Sequence, residues 1–255
     1  MSRNFELLQR TAASSNGLPA SEIQGLLAME PQAAEKEKSR VRTTLGLDEI
    51  AREEVSKLVQ TVFHPQEGPR RSVLFAAINS GSGCTWICSQ IAAVLAATVS
   101  EPVCIVDANF RTPSRRGLLG ATNHCGLSDA LRTQRPVREF VKQLEPQNLW
   151  LLPCGSGPEA SVSLLTSDKM SGLVTELRKE FGYVLMDLPP LSTYADGISL
   201  SHLADGLVLV LEANVTRREV ALQVADRLRG MKIKVLGAVL NKRTFPIPES
   251  VYHRI

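Results

Sequence analysis

The chain has 255 residues, a formal charge of +3 and 44% hydrophobic residues. That length suits one α/β domain with an extension, and so small a charge argues against nucleic acid as a partner. With no apolar segment after Met1-Ser2-Arg3-Asn4, no signal peptide is expected, and the run Ile91 to Val99 is far short of the roughly 20 residues of a membrane helix. The expectation is a cytoplasmic protein with no direct membrane insertion.

Residues 1–45 are rich in Ala, Ser, Glu and Gln and carry no strand signal. Phe5, Leu7 and Leu8, and later Ile23, Leu26 and Leu27, offer too little apolar surface to offset the entropy of ordering, so a mobile N-terminal extension is expected. A partner-docking helix is the alternative. The domain proper is expected over 46–255. It opens with Leu47, Ile50, Val55, Leu58, Val59 and Val62 at helical spacing, an amphipathic helix over 47–63. Pro65, Gly68 and Pro69 then form a linker.

Beyond the linker the pattern alternates. Strands are predicted over 72–78, 102–107, 149–153, 182–187, 206–212 and 234–240, with helices notably over 85–99, 168–181 and 216–230. Continuous Val/Ile/Leu strands joined by helices predict a P-loop NTPase-like α/β fold, a mainly parallel twisted sheet flanked by helices. Ligands of such sheets bind beyond the carboxyl ends of the strands.

Three segments fall at those ends. Ser80-Gly81-Ser82-Gly83-Cys84-Thr85 follows the first strand and leads into a helix, the layout that aims backbone N–H groups at a phosphate. Thr85 stands where a loop hydroxyl binds Mg²⁺. Cys84 stands where a lysine would reach the β- and γ-phosphates, and a neutral thiol cannot supply that charge. The second segment ends a strand at Asp107 and runs on through Asn109 to Arg111; the third is Asp187-Leu188-Pro189-Pro190. Two aspartates on the edge that carries the glycine loop make a phosphate–Mg²⁺ constellation, with Asp187 holding the metal through water and Asp107 orienting metal or nucleophile. An aspartate at a strand end can also simply cap a turn, but the combination favours the site. Gly81, Ser82, Gly83, Cys84, Thr85 and Trp86 are the expected nucleotide contacts, with Arg111 and Asn241 beyond the loop.

The five cysteines, Cys84, Cys88, Cys104, Cys125 and Cys154, are odd in number and form no Cys-x-x-Cys pair, which fits a reduced compartment. Cys84 and Cys88 share a helix face without a nearby histidine, so buried small hydrophobes are expected there rather than a metal site.

These segments together resemble the bacterial tyrosine kinases of capsule and exopolysaccharide synthesis, relatives of the partition and division-site ATPases. The resemblance rests on 80–85, on Ile105 to Ser114 and on Tyr183 to Pro190. Secondary matches lie at Gly126 to Leu131, Leu152 to Gly155, Asp196, Thr216 to Val220 and Leu236 to Lys242. It spans about residues 46–243. It implies ATP or ADP with Mg²⁺ as cofactors, Asn241 near the adenine, and a membrane-embedded polysaccharide co-polymerase or export protein whose cytoplasmic segment is the partner. Self-association is also implied.

The departures point one way. Cys84 replaces the loop lysine and Asn109 the second aspartate. The family's Glu-x-x-Arg-x-x-Arg ring helix reads Glu53, Ser56 and Val59, and the C-terminal tyrosine cluster is reduced to Tyr252. The expectation is a degenerate regulator with weak or lost nucleotide binding. An active autokinase or ATPase with a substitute cation such as Arg111, and a partition-type localising ATPase, are the alternatives. A dinucleotide-binding reading of Gly81-x-Gly83 fails at Trp86, where the third glycine would pack the helix closely.

Overall fold

The computed structural model describes residues 49–66, 68–111, 125–133, 135–155, 163–165, 167–194 and 196–243. The expected N-terminal extension and Tyr252 lie outside them. The described residues all belong to one compact unit, Val41–Ile255.

The first helix, α1 (Glu49–Phe63), is followed by β1 (Ser72–Ala77), α2 (Cys84–Thr98) and β2 (Val103–Asp107). Next come α3 (Leu127–Arg132), the short β3 (Lys142–Gln143) and β4 (Leu149–Leu152). Then α4 (Asp168–Glu180), β5 (Tyr183–Leu188), α5 (Asp196–Ser199), β6 (Gly206–Glu212), α6 (Arg218–Gly230) and β7 (Val235–Asn241) complete the order. All six predicted strands form, within about a residue or two of their expected ends. The sequence reading missed β3, two residues with no apolar alternation, and made no helix of α3 or α5, each shorter than two turns.

The strand order is β3-β4-β2-β5-β1-β6-β7. Every pairing is parallel except β3 with β4. The central strands β1, β2 and β5 are buried throughout. Their alternate side chains feed two cores. Leu74, Ala76, Val106 and Met186 face the layer of α3, α4 and α6. Val73, Phe75, Ile105 and Leu185 face the layer of α1 and α2. Period-two alternation on strands buried on both faces explains why these segments read as continuous apolar runs.

The apolar stripe of α1 packs onto its own domain. Val55, Val59, Val62 and Phe63 join the core beside α2. Ser56 lies on the exposed side, its hydroxyl bonded back to the Arg52 carbonyl. Val59 is only 1% exposed, so that position now serves packing. In the register β2–β5, Asp107 pairs with Asp187, which puts both carboxylates side by side on the edge where β1 turns into α2.

Candidate nucleotide site

The loop between β1 and α2 is shaped by two glycines. Gly81 and Gly83 have φ of 84° and 85°, left-handed values that L side chains rarely adopt. At Gly83 a Cβ would also lie 2.4 Å from the Asn241 amide nitrogen, so both backbone and space demand glycine there. Ser82 is fully buried and its hydroxyl donates to the Asn79 carbonyl at 2.9 Å, which tightens the turn. The N–H groups of the first turn of α2 have no intrahelical partners and carry the positive end of the helix dipole. They open onto a cavity of about 220 Å³ walled by residues 79–86 with Ala77, Asn109, Leu188 and Pro190.

Thr85 and Asp187 meet at the floor. The Thr85 hydroxyl donates to one carboxylate oxygen of Asp187, while the other oxygen is buried without a partner. Burial, then the charge of Asp107, raise the Asp187 carboxyl to about 7; the Thr85 and Cys84 contacts pull the other way. Asp107 is itself 4% exposed and accepts the Asn109 N–H at 3.1 Å. An orphaned buried carboxylate oxygen beside a hydroxyl fits a hydrated Mg²⁺. Thr85 and Asp187 are the residues that would hold it. Among the described residues no group of three His, Cys, Asp or Glu side chains forms a metal cluster.

Cys84 does not take the missing lysine's place. Its side chain is buried and faces Asp187 and Cys88, and burial, with those two neighbours, keeps the thiol well above its usual range and therefore neutral. Cys88, Cys104 and Cys154 are buried and Cys125 is exposed, all free thiols, so the expectation of packing residues holds for both Cys84 and Cys88. Trp86 remains 38% exposed at the rim.

Two further expected contacts have partners within the fold. Arg111 lies with its guanidinium 5.0 Å from the centre of the Tyr194 ring. The Asn241 amide donates to the Ser82 carbonyl at 2.8 Å. The residue after it was missed as a contributor. The Lys242 ammonium donates to the Gly81 carbonyl at 2.7 Å and pairs with Glu212 at 3.0 Å. Lys242 has φ of 56°, and nothing in a single sequence signals that a lysine there turns back over the loop.

Strand, glycine loop and helix, with paired aspartates at the carboxyl edge of a parallel sheet, define a P-loop NTPase-like fold. No family model matches the chain. The chain is similar to CapB of Staphylococcus aureus, 27% identical over 192 residues that cover 75% of this chain and 84% of that one. It is similar to the tyrosine-protein kinase YwqD of Bacillus subtilis, 29% identical over 171 residues, 67% and 72% of the two chains. To ExoP of Rhizobium meliloti, a succinoglycan biosynthesis transport protein, it is 28% identical over 175 residues, 68% of this chain and 22% of ExoP. Among solved structures the chimerical protein CapA2B2 superposes with a TM-score of 0.74 at 21% identity, covering 81% and 90% of the chains. The kinase domain of the Escherichia coli tyrosine kinase ETK gives 0.67 at 20%, covering 78% and 79%. The chain is thus a homologue of the bacterial tyrosine kinases, and it shares its fold with the kinase domains and with the septum site-determining protein MinD of Pyrococcus horikoshii, complexed with Mg-ADP (TM-score 0.58, 17% identity, 72% and 76% of the chains).

Proposed function

We propose that this protein is a kinase-like regulator or scaffold in the synthesis and export of a capsular or extracellular polysaccharide, with a degenerate nucleotide site. Its relatives supply the setting, and one observation carries the degeneracy: Cys84, neutral and buried in the cavity wall, stands where the loop would present a charge to the phosphates. What remains can still bind. The N–H groups of 81–86 would cradle phosphates, and Thr85 and Asp187 would hold Mg²⁺, which when bound would neutralise charge on the phosphate oxygens. Asp107 would orient the groups around that metal. Without a loop cation, transfer of the γ-phosphoryl group loses a stabilising charge, which typically costs on the order of 10²–10³ in rate.

The partner in this reading is a membrane-embedded polysaccharide co-polymerase or export protein, engaged through its cytoplasmic segment. Among the described residues no helix is long and apolar enough to cross a membrane, so attachment through such a partner is the route proposed. A partition-type localising ATPase remains the weaker reading, since no feature of the site favours it.

Calorimetric titration of Mg·ATP and Mg·ADP into the purified protein, followed by mass spectrometry after incubation with Mg·ATP, tests this. Weak binding with no phosphate on tyrosine is the expected result. Stoichiometric phosphate on Tyr252 that Asp187→Asn abolishes would overturn it and make the chain an active autokinase.

A further inference from the structure

Two consecutive carbonyls of the loop are tied to two consecutive side chains of the neighbouring strand end. The Gly81 carbonyl accepts from the Lys242 ammonium at 2.7 Å, and the Ser82 carbonyl from the Asn241 amide at 2.8 Å. Within one peptide unit the C=O and the following N–H point in opposite directions. Fixing the carbonyls of residues 81 and 82 toward β7 therefore turns the N–H groups of Ser82 and Gly83 away from it.

The bracket is itself anchored. The Asn241 carbonyl accepts the Ala213 N–H at 2.9 Å, and the Glu212 N–H donates to the Thr216 hydroxyl at 2.9 Å. Lys242 is held at φ of 56°, a conformation a lysine keeps only when its surroundings enforce it. The Lys242 side chain is half exposed, and its ammonium lies closer to the Gly81 carbonyl than to Glu212. A cation on a carbonyl oxygen polarises the peptide and makes the following N–H a better donor.

We propose that Lys242 is the positioning residue of the phosphate loop and its substitute cation, acting through the Gly81–Ser82 peptide in place of the charge that Cys84 lacks. This rests on the reading above that the loop binds a nucleotide. The ligand class is a nucleoside di- or triphosphate. Glu212 opposes the effect, because it pairs with the same ammonium at 3.0 Å.

The test is a double-mutant cycle on the full chain, read by calorimetric titration of Mg·ADP, with thermal denaturation as a check on folding. Lys242→Gln keeps a donor and removes the charge; Lys242→Arg restores the charge. Lys242→Gln is expected to weaken binding about ten-fold, the difference between a charge-assisted and a neutral hydrogen bond, and Lys242→Arg to recover most of it. In a Cys84→Lys background, which has its own loop cation, Lys242→Gln is expected to cost less than about three-fold, because the two charges serve the same phosphates. Glu212→Gln is expected to tighten binding in the otherwise unaltered protein. An equal loss in both backgrounds would mean that Lys242 only braces the loop and would overturn the substitute-cation role. Binding seen only after Cys84→Lys would overturn it too, since Lys242 would then not suffice. If neither the unaltered protein nor the Cys84→Lys variant binds Mg·ADP, the nucleotide reading itself fails, and this inference with it.

Discussion

The two flanks of the phosphate loop solve opposite problems. On the β2–β5 side, Thr85, Asp107 and Asp187 crowd two carboxylates into the interior, 4% and 2% exposed, next to a neutral thiol. On the β7 side, Lys242 stands half in solvent beside the more buried Asn241 and Glu212, and charge is balanced by direct pairing. The buried flank keeps its negative charge under strain because water is excluded; an ion such as Mg²⁺ would relieve it. The open flank carries its cation at the surface, where it can act on the loop only through a hydrogen-bonded peptide. The lesson is that a loop without a lysine can still hold a defined shape, since Asn241 and Lys242 fix two of its carbonyls from the other side.

The largest expected effect lies on the buried flank. A carboxyl raised to about 7 from an ordinary value of 3.8 binds its proton more tightly in the folded state. Its contribution is present in full below about pH 4, is lost as pH rises toward 7, and is level above that. The nucleotide-free protein should therefore lose stability on the order of 4 kcal/mol between pH 4 and pH 8 from this group. Asp187→Asn should flatten that part of the profile and raise the melting temperature at pH 8. A profile unchanged by Asp187→Asn would show that the buried flank is not strained.

Next comes charge inside the cavity. Cys84→Lys should tighten Mg·ATP binding about 10- to 100-fold, the worth of one or two hydrogen bonds to a charged group, measured calorimetrically. Unchanged affinity would show that the missing lysine is not what limits the site.

Gly83→Ala strikes the seam between the flanks. Its Cβ would meet the Asn241 amide at 2.4 Å, in a left-handed conformation besides. A loss of about 1–3 kcal/mol in denaturant unfolding is expected, together with loss of nucleotide binding. On the open flank the smallest effect is expected: Glu212→Gln should change folding stability by only about 0.5 kcal/mol, because the Lys242 partner is half exposed and keeps its contact with the Gly81 carbonyl.

Much of this was legible in the sequence for a local reason. The six main strands are apolar runs bounded by Gly, Pro and charged residues, and parallel order follows from the helices between them. The glycine loop, Thr85 and the two aspartates declare themselves by where they fall relative to strand ends. Arg111 shows the limit. As a candidate substitute cation it lies close in sequence to a site residue, Asp107, yet it stacks over Tyr194. Lys242, 158 positions after Cys84 in the chain, reaches the loop instead. Ser56 and Val59 behave in a similar way: helical spacing made α1 amphipathic, but packing against α2 decided that Val59 lies inside.

By itself the sequence determined the layered α/β fold, the edge on which the site lies and the absence of a loop lysine, because periodicity, turn residues and side-chain charge are properties of short segments. Only the tertiary structure decided the pairing of Asp107 with Asp187, the burial of Cys84 beside Asp187 and the grip of Asn241 and Lys242 on the loop. Those depend on strand order, which brings β5 and β6 to the two sides of β1 and sets β7 beside β6. No spacing along the chain encodes which of several distant cations ends next to a given carbonyl; the register of the assembled sheet does.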